Sequence, residues 1–142
     1  MIRAKRSLGQ NFLIDQNIIQ KIVNIAEINN KEILEVGPGT GNLTSEILKK
    51  DPKKIYLVEK DNDLCNLLKD KFDKKITLFN DDILNFDEQS LSKNQIVVFG
   101  NLPYNISTEI LCKWIINLKS EFCWFNKLIL MFQKEVADRI TS

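Results

Sequence analysis

Short apolar runs alternate with stretches of helical periodicity along this chain of 142 residues. The runs are rich in β-branched and aromatic residues, which is typical of buried parallel strands, and they span residues 33–36, 55–58, 76–79, 96–99 and 128–131. Apolar residues three or four positions apart predict helices within residues 18–26, 43–48, 64–72 and 110–115, the first of them capped by Asp15. This order predicts an α/β fold with a doubly wound, mostly parallel sheet, in which ligands bind beyond the carboxyl ends of the strands.

The composition excludes several kinds of site. The chain has no histidine, which excludes Ser-His-Asp and Cys-His catalysis and zinc sites that need imidazole. Cys65, Cys112 and Cys123 are odd in number and far apart, so we expect reduced thiols in the cytoplasm and no metal site. A net charge of +1 excludes a uniformly basic surface but allows a local basic patch. No apolar run approaches the roughly 20 residues that span a bilayer, so no membrane partner is expected.

A glycine-rich loop and two acidic strand ends predict a nucleoside pocket. Gly37 and Gly39 belong to a G-x-G-x-G pattern, in which glycines let backbone amides approach a ligand. A dinucleotide fingerprint would place its third glycine at position 42, which is Asn42. Glu59 follows the second strand about 20 residues later, where a carboxylate accepts from ribose hydroxyls, although a solvated strand end has the same spacing. Asp82 follows the third strand and could accept from an adenine amino group, so the pattern favours adenosine without the diphosphate cradle of a nicotinamide enzyme.

The fourth strand leads into Asn101, Leu102, Pro103 and Tyr104, which resemble the Asn-Pro-Pro-Tyr signature of methyltransferases that act on exocyclic amino groups of bases. An adenine N6 is a poor nucleophile because its lone pair is delocalised into the ring. The Asn101 side-chain oxygen and the Leu102 carbonyl would accept from N6 and favour a tetrahedral nitrogen, while Pro103 holds Leu102 extended. Tyr104 offers a face for stacking an extruded base, worth roughly 1–3 kcal/mol. The alternative is an ordinary turn between a strand and a helix.

Four motifs in one order resemble those of the ribosomal RNA adenine dimethyltransferases, which modify adjacent adenines near the 3′ end of small-subunit RNA. They are residues 7–13 (SLGQNFL), 35–41 (EVGPGTG), 101–107 (NLPYNIS) and 133–136 (QKEV). The similarity covers almost the whole chain, and the combination is far more specific than any single motif.

The resemblance implies a Rossmann-like class I methyltransferase that uses S-adenosylmethionine, needs no metal, and is monomeric at full length. Its substrate would be the rRNA of an immature small ribosomal subunit. Glu59 would hold the ribose, Asp82 the adenine amino group, and Asn101 would face the methyl. The cofactor-binding residues so implied are Asn11, Leu13, Gly37, Gly39, Glu59, Asp82, Ile83 and Asn101. Residues 1–14 would form an arm in which Arg3, Lys5 and Arg6 contact RNA, although a basic terminus is as often merely solvated.

The resemblance also defines what the chain would lack. The family continues past residue 136 with an antiparallel hairpin and a small helical domain, so we expect residues 1–142 to be one incomplete domain with little activity alone. Three alternatives stay open: a large-subunit rRNA adenine methylase of the antibiotic-resistance type, a non-catalytic nucleic-acid-binding relative, and a nicotinamide oxidoreductase. Asn42 and the lack of a catalytic histidine or a Tyr-x-x-x-Lys motif count against the last.

Overall fold

The computed structural model describes residues 15–101, 107–116 and 123–131. Within these ranges, five strands form one sheet: β1 Glu32–Val36, β2 Lys54–Val58, β3 Thr77–Phe79, β4 Ile96–Asn101 and β5 Phe125–Met131. The helices there are α1 Gln16–Val23, α2 Asn42–Leu48, α3 Asn62–Phe72 and α4 Ser107–Ile116. The strand order is β3-β2-β1-β4-β5, and every neighbouring pair is parallel. The predicted doubly wound parallel sheet is therefore confirmed.

The element boundaries differ from the predicted ones by up to three residues. Asp15 caps α1 as predicted, since its carboxylate accepts from the N–H of Asn17 at 2.8 Å. The predicted first helix is too long, because α1 ends at Val23. Strand β4 is longer than predicted and includes Asn101, which lies opposite Met131 of β5 in the register. The end of β4 is therefore held by a neighbouring strand up to its last residue.

The strand order creates a switch point between β1 and β4. From β1 the chain moves outward through β2 to β3, and it then returns to place β4 on the other side of β1. Helix α2, which follows β1, packs on one face of the sheet, and α4, which follows β4, packs on the other; open parallel sheets bind ligands at such a switch point. The most central strands thus end at the place where such a sheet binds ligands.

Two apolar layers cover the sheet and fix its central strands. One face packs against α1, α2 and α3, through residues such as Ile19, Leu43 and Leu68. The other face packs against α4, where Trp114 meets Trp124 edge to face with ring centroids 5.6 Å apart. Strands β1 and β4 are therefore buried on both faces, and the residues at their ends stand on rigid elements.

Several predicted features lie outside the described residues. They are the arm at residues 1–14, the segment 102–106 with Leu102, Pro103 and Tyr104, and the motif at residues 133–136. Among the residues that the structure does describe, none of the helices is both long and apolar enough to cross a membrane.

Candidate functional site

The glycine-rich loop runs close against the end of β4. Gly37 has φ +68°, a conformation that favours glycine, and a Cβ built on it would lie 2.7 Å from the carbonyl oxygen of Asn101. The N–H of Gly37 donates to the carbonyl of Val58 at 3.0 Å, so the loop also follows the end of β2. The sequence thus needs glycine at position 37 because two backbone segments meet there, and this contact places the loop beside Asn101.

Glu59 is a buried residue at the end of β2. Its Oε1 accepts from the N–H of Gly39 at 3.3 Å, and its Oε2 accepts from the N–H of Asp61 at 3.0 Å. Burial raises the pKa of this carboxyl, and these two hydrogen bonds oppose the rise. The alternative of a solvated strand end is therefore wrong, since Glu59 joins the glycine loop to the end of β2.

Asp82 stands at the start of the short helical turn Ile83–Asn85 and is partly exposed. Its Oδ1 accepts from the N–H of Leu84 at 3.0 Å, and its Oδ2 lies 3.6 Å from the Lys60 ammonium. The Ile83 carbonyl already accepts from Lys113 at 2.6 Å. The carboxylate of Asp82 is therefore partly exposed beside a backbone segment that Lys113 holds.

Asn101 carries the most distinctive polar atom of the site. The residue is 5% exposed, and its Oδ1 is buried with no hydrogen-bond partner within the described ranges. Leaving a buried acceptor unpaired costs about 1–3 kcal/mol, so native proteins rarely do so without a reason. An N–H donor from a ligand would complete the hydrogen bonding of Asn101.

Glu35 belongs to the same end of the sheet, and the sequence analysis did not identify it as a site residue. It is fully buried in β1, and its Oε1 accepts from the Thr44 hydroxyl at 2.5 Å, whereas Oε2 has no partner among the described residues. Burial, with a smaller contribution from the charge of Glu59, raises its pKa to about 8. The sequence feature that could have identified Glu35 is the presence of a carboxyl residue inside an otherwise apolar strand.

A buried ion pair, also unforeseen, holds the segment after β3. The Lys113 ammonium of α4 donates to the carbonyls of Ile83 and Phe86, at 2.6 and 2.5 Å, and to Glu88 Oε1 at 2.7 Å. The indole N–H of Trp114 donates to the same carboxylate oxygen at 2.8 Å. Helix α4 thereby fixes the turn that follows Asp82. Lys113 and Glu88 are 25 residues apart, and no local pattern relates them.

The site as a whole offers acceptors to a ligand that carries donors and positive charge. Glu35, Glu59, Asp82 and Asn101 stand in or just after four different strands of the sheet. No group of three His, Cys, Asp or Glu residues suited to a metal ion occurs in the part of the chain that the structure describes. These residues fit an adenosine group joined to a cation, because carboxylates accept from hydroxyl and amino groups and favour positive charge. Their chemistry is that of binding and orientation.

Comparison with known proteins gives concordant matches. The model of the family described as ribosomal RNA adenine dimethylase matches residues 1–142. Ribosomal RNA small subunit methyltransferase A of Pelagibacter ubique (strain HTCC1062) is 64% identical over 141 residues, which cover 99% of this chain and 53% of that protein. The chain spans about half the length of the curated relatives it matches.

Two solved structures are similar to the fold. A dimethyladenosine transferase from Plasmodium falciparum aligns with a TM-score of 0.73 and 28% identity, over 90% of this chain and 45% of that one. The 23S rRNA methyltransferase ErmE aligns with a TM-score of 0.63 and 30% identity, over 73% of this chain and 42% of that one.

Proposed function

Because the chain belongs to the ribosomal RNA adenine dimethylase family, we propose that it forms the cofactor-binding part of an S-adenosylmethionine-dependent rRNA methyltransferase. The substrate would be the N6 amino groups of two adjacent adenines near the 3′ end of small-subunit rRNA. The observation that carries the proposal is the buried, unpartnered Oδ1 of Asn101 beside the glycine loop. An exocyclic amino group supplies the N–H donor that this oxygen lacks.

The described residues support S-adenosylmethionine as the cofactor. Glu59 would accept from the ribose hydroxyls, and Asp82 with the Ile83 N–H would bind the adenine edge. Gly37 and Gly39 would let the loop backbone approach the ligand, and Asn11 and Leu13 of the arm would close the pocket. Bound there, the cofactor supplies an electrophilic methyl group on a sulfonium.

The protein's part in the reaction would be orientation of the adenine amino group. Asn101 Oδ1 and the Leu102 carbonyl would accept from N6, which favours a tetrahedral nitrogen with its lone pair free to attack. Pro103 would hold the Leu102 carbonyl in place, and Tyr104 would stack on the extruded base. The site needs no strong base, since the rate gain would come from positioning and from acceptors that are in place before reaction.

The RNA partner would be the immature small ribosomal subunit in the cytoplasm. Arg3, Lys5 and Arg6 of the arm would contact phosphates near the target adenines. A monomeric full-length enzyme is expected to be sufficient for binding. The similarity to the 23S rRNA methyltransferase ErmE supports a second candidate, methylation of large-subunit rRNA by the same chemistry.

Methyl transfer from labelled S-adenosylmethionine to unmodified small subunits, and in parallel to large-subunit rRNA, tests the substrate. In a full-length parent of this chain, we expect Asn101→Ala to lower the rate much more than the RNA affinity, because its acceptor matters most as N6 becomes tetrahedral. The exposed Asn66→Ala is the matched control. Equal losses of rate and RNA affinity in Asn101→Ala would contradict the role given to Asn101. Label only in the large-subunit RNA would favour the second candidate.

Calorimetric titration with S-adenosylmethionine and with NAD tests the cofactor. Asp82→Ala should weaken binding of S-adenosylmethionine, because an adenine amino group loses its acceptor. Asp87→Ala removes an exposed carboxylate five residues further along and should bind normally. Preferential binding of NAD would refute the methyltransferase proposal, and unchanged affinity in Asp82→Ala would remove Asp82 from the pocket.

A further inference from the structure

Two lysine-rich segments hold a large share of the positive charge. Residues 49–54 (KKDPKK) and 71–75 (KFDKK) together contain seven lysines and two aspartates, a net charge of +5 in eleven residues. Since the whole chain has a net charge of +1, the other 131 residues sum to −4. Positive charge is therefore concentrated in two short segments about 20 residues apart in sequence.

The fold brings these segments together around one surface groove. The groove has a volume of ≈ 660 Å³ and lies between the last turns of α2 and α3 and the start of β2. The charged residues that line it are Lys49, Lys53, Lys54, Lys71, Lys75 and Asp51. Five ammonium groups thus face a single carboxylate, and we call this surface the lysine groove.

Part of this charge has a purely structural reason. Lysines near helix C-termini interact favourably with the helix dipole, and Lys49 also pairs with Glu46 at 3.0 Å. Lys71 donates to the carbonyl of Thr40 at 3.1 Å. Lys53 acts electrostatically on Glu32, and Lys75 lies in the last turn of a short helical segment, so for these two a local interaction accounts for only part of the charge.

Lys53, Lys54 and Lys75 are exposed, and none of them forms an ion pair within the described ranges. Lys54 lies over the ring of Tyr56, 5.1 Å from its centroid, which leaves its ammonium accessible to solvent. Like charges gathered on one surface repel each other, so their convergence is unfavourable unless an anion binds there.

The opposite end of β2 has the opposite charge. Glu59, Asp61 and Asp63 line one surface with Lys60, and the Lys60 ammonium lies 3.6 Å from Asp82, so carboxyl groups outnumber ammonium groups among these residues. That arrangement suits a cationic ligand but repels phosphates. Lys54 begins β2 and Glu59 directly follows the strand, so the lysine groove and the acidic end are separated by five residue steps, about 16 Å.

We propose that the lysine groove binds the phosphate backbone of RNA, as a docking surface separate from the methyl-transfer site. The proposal rests on the proposed function, since that function makes RNA the polyanion that the protein meets. A substrate held partly at this groove would gain affinity that the acidic end of the sheet does not supply. Phosphate contacts fix orientation and carry no sequence information, so this surface would bind structured RNA of any sequence.

The test compares two triple variants with the same change in net charge. The first carries Lys53→Gln, Lys54→Gln and Lys75→Gln. The control carries Lys21→Gln, Lys93→Gln and Lys127→Gln, which are exposed lysines outside the groove. Filter binding of an in vitro transcribed 3′ fragment of small-subunit rRNA, without cofactor and between about 50 and 200 mM salt, gives the slope of log K against log salt.

We expect the groove variant to lose about one unit of slope per lysine, roughly two to three in all, and about tenfold or more in affinity. The control should keep most of the wild-type slope, and both variants should unfold at the wild-type temperature. Equal slopes in the two variants would overturn the proposal, because only net charge would then matter. Titration of each variant with S-adenosylmethionine is independent of this result, so failure to bind cofactor refutes the proposed function and leaves the groove result interpretable.

Discussion

Replacing Lys113 by methionine removes the cation that holds the turn after β3. The ammonium donates to two backbone carbonyls and to Glu88, whose side chain is 2% exposed. After this substitution, the one hydrogen bond of this network that the Glu88 carboxylate retains is from the indole N–H of Trp114. Breaking a buried ion pair costs 3–5 kcal/mol, but the Lys113 side chain is 21% exposed and admits water, so we expect a loss of about 3 kcal/mol in the free energy of unfolding.

Urea denaturation followed by tryptophan fluorescence measures this loss, because Trp114 and Trp124 are both buried. Glu88→Gln keeps an acceptor for the indole and should cost about 1–2 kcal/mol alone. In the double variant, the loss in the free energy of unfolding should be smaller than the sum of the two single losses by at least about 1 kcal/mol. The reason is that each single change already removes the same Lys113–Glu88 interaction. Lys127→Met, at an exposed position, is the control and should change stability by about 0.5 kcal/mol or less. Additive losses, or a loss below about 1 kcal/mol in Lys113→Met, would refute the reasoning.

Two further predictions concern the end of β1. Gly37→Ala should lower stability by at least about 1–2 kcal/mol, because alanine at φ +68° is strained and its Cβ would clash with the Asn101 carbonyl; wild-type stability in urea would contradict this. Wild-type stability should fall as pH rises from about 4.5 to about 8, because the unfolded chain ionises Glu35 near its ordinary pKa of 4.5 while the folded chain keeps the proton until its pKa of about 8. In Glu35→Gln, the free energy of unfolding should fall less steeply with pH, by up to about 1.4 kcal/mol per pH unit. If urea titrations gave the same pH dependence for both proteins, Glu35 would ionise normally in the folded chain.

The sequence predicted the sheet because each strand is a local apolar run that is bounded by polar or turn residues. It missed the extent of β4, since Gly100 and Asn101 become strand residues through pairing with neighbouring strands, Gly100 with both β1 and β5 and Asn101 with β5. The acidic strand ends were visible for the same local reason. The protonation state of Glu35 could not be predicted from the sequence, because its pKa depends on burial beneath α2 and on Thr44, nine residues away. The Lys113–Glu88 ion pair could not be predicted from the sequence either, since only the packing of α4 brings the two residues together.

Two of the three unpartnered buried side-chain atoms in the described part of the chain lie toward the carboxyl ends of the adjacent strands β1 and β4. Among the residues described there, the buried side-chain atoms without a partner are Glu35 Oε2, Asn101 Oδ1 and Trp124 Nε1. Glu35 pairs with Phe99 in the register between β1 and β4, and Asn101 follows Phe99 by two residues. Because side chains alternate along a strand, Glu35 and Asn101 project from the same face of adjacent strands, with Cα atoms about 8 Å apart. Glu35 keeps its proton below its pKa of about 8, so its unpaired Oε2 can carry a donor O–H, whereas Asn101 Oδ1 is an acceptor. Both groups stand on rigid central strands, so a ligand with a complementary acceptor and donor would recover this free energy on binding.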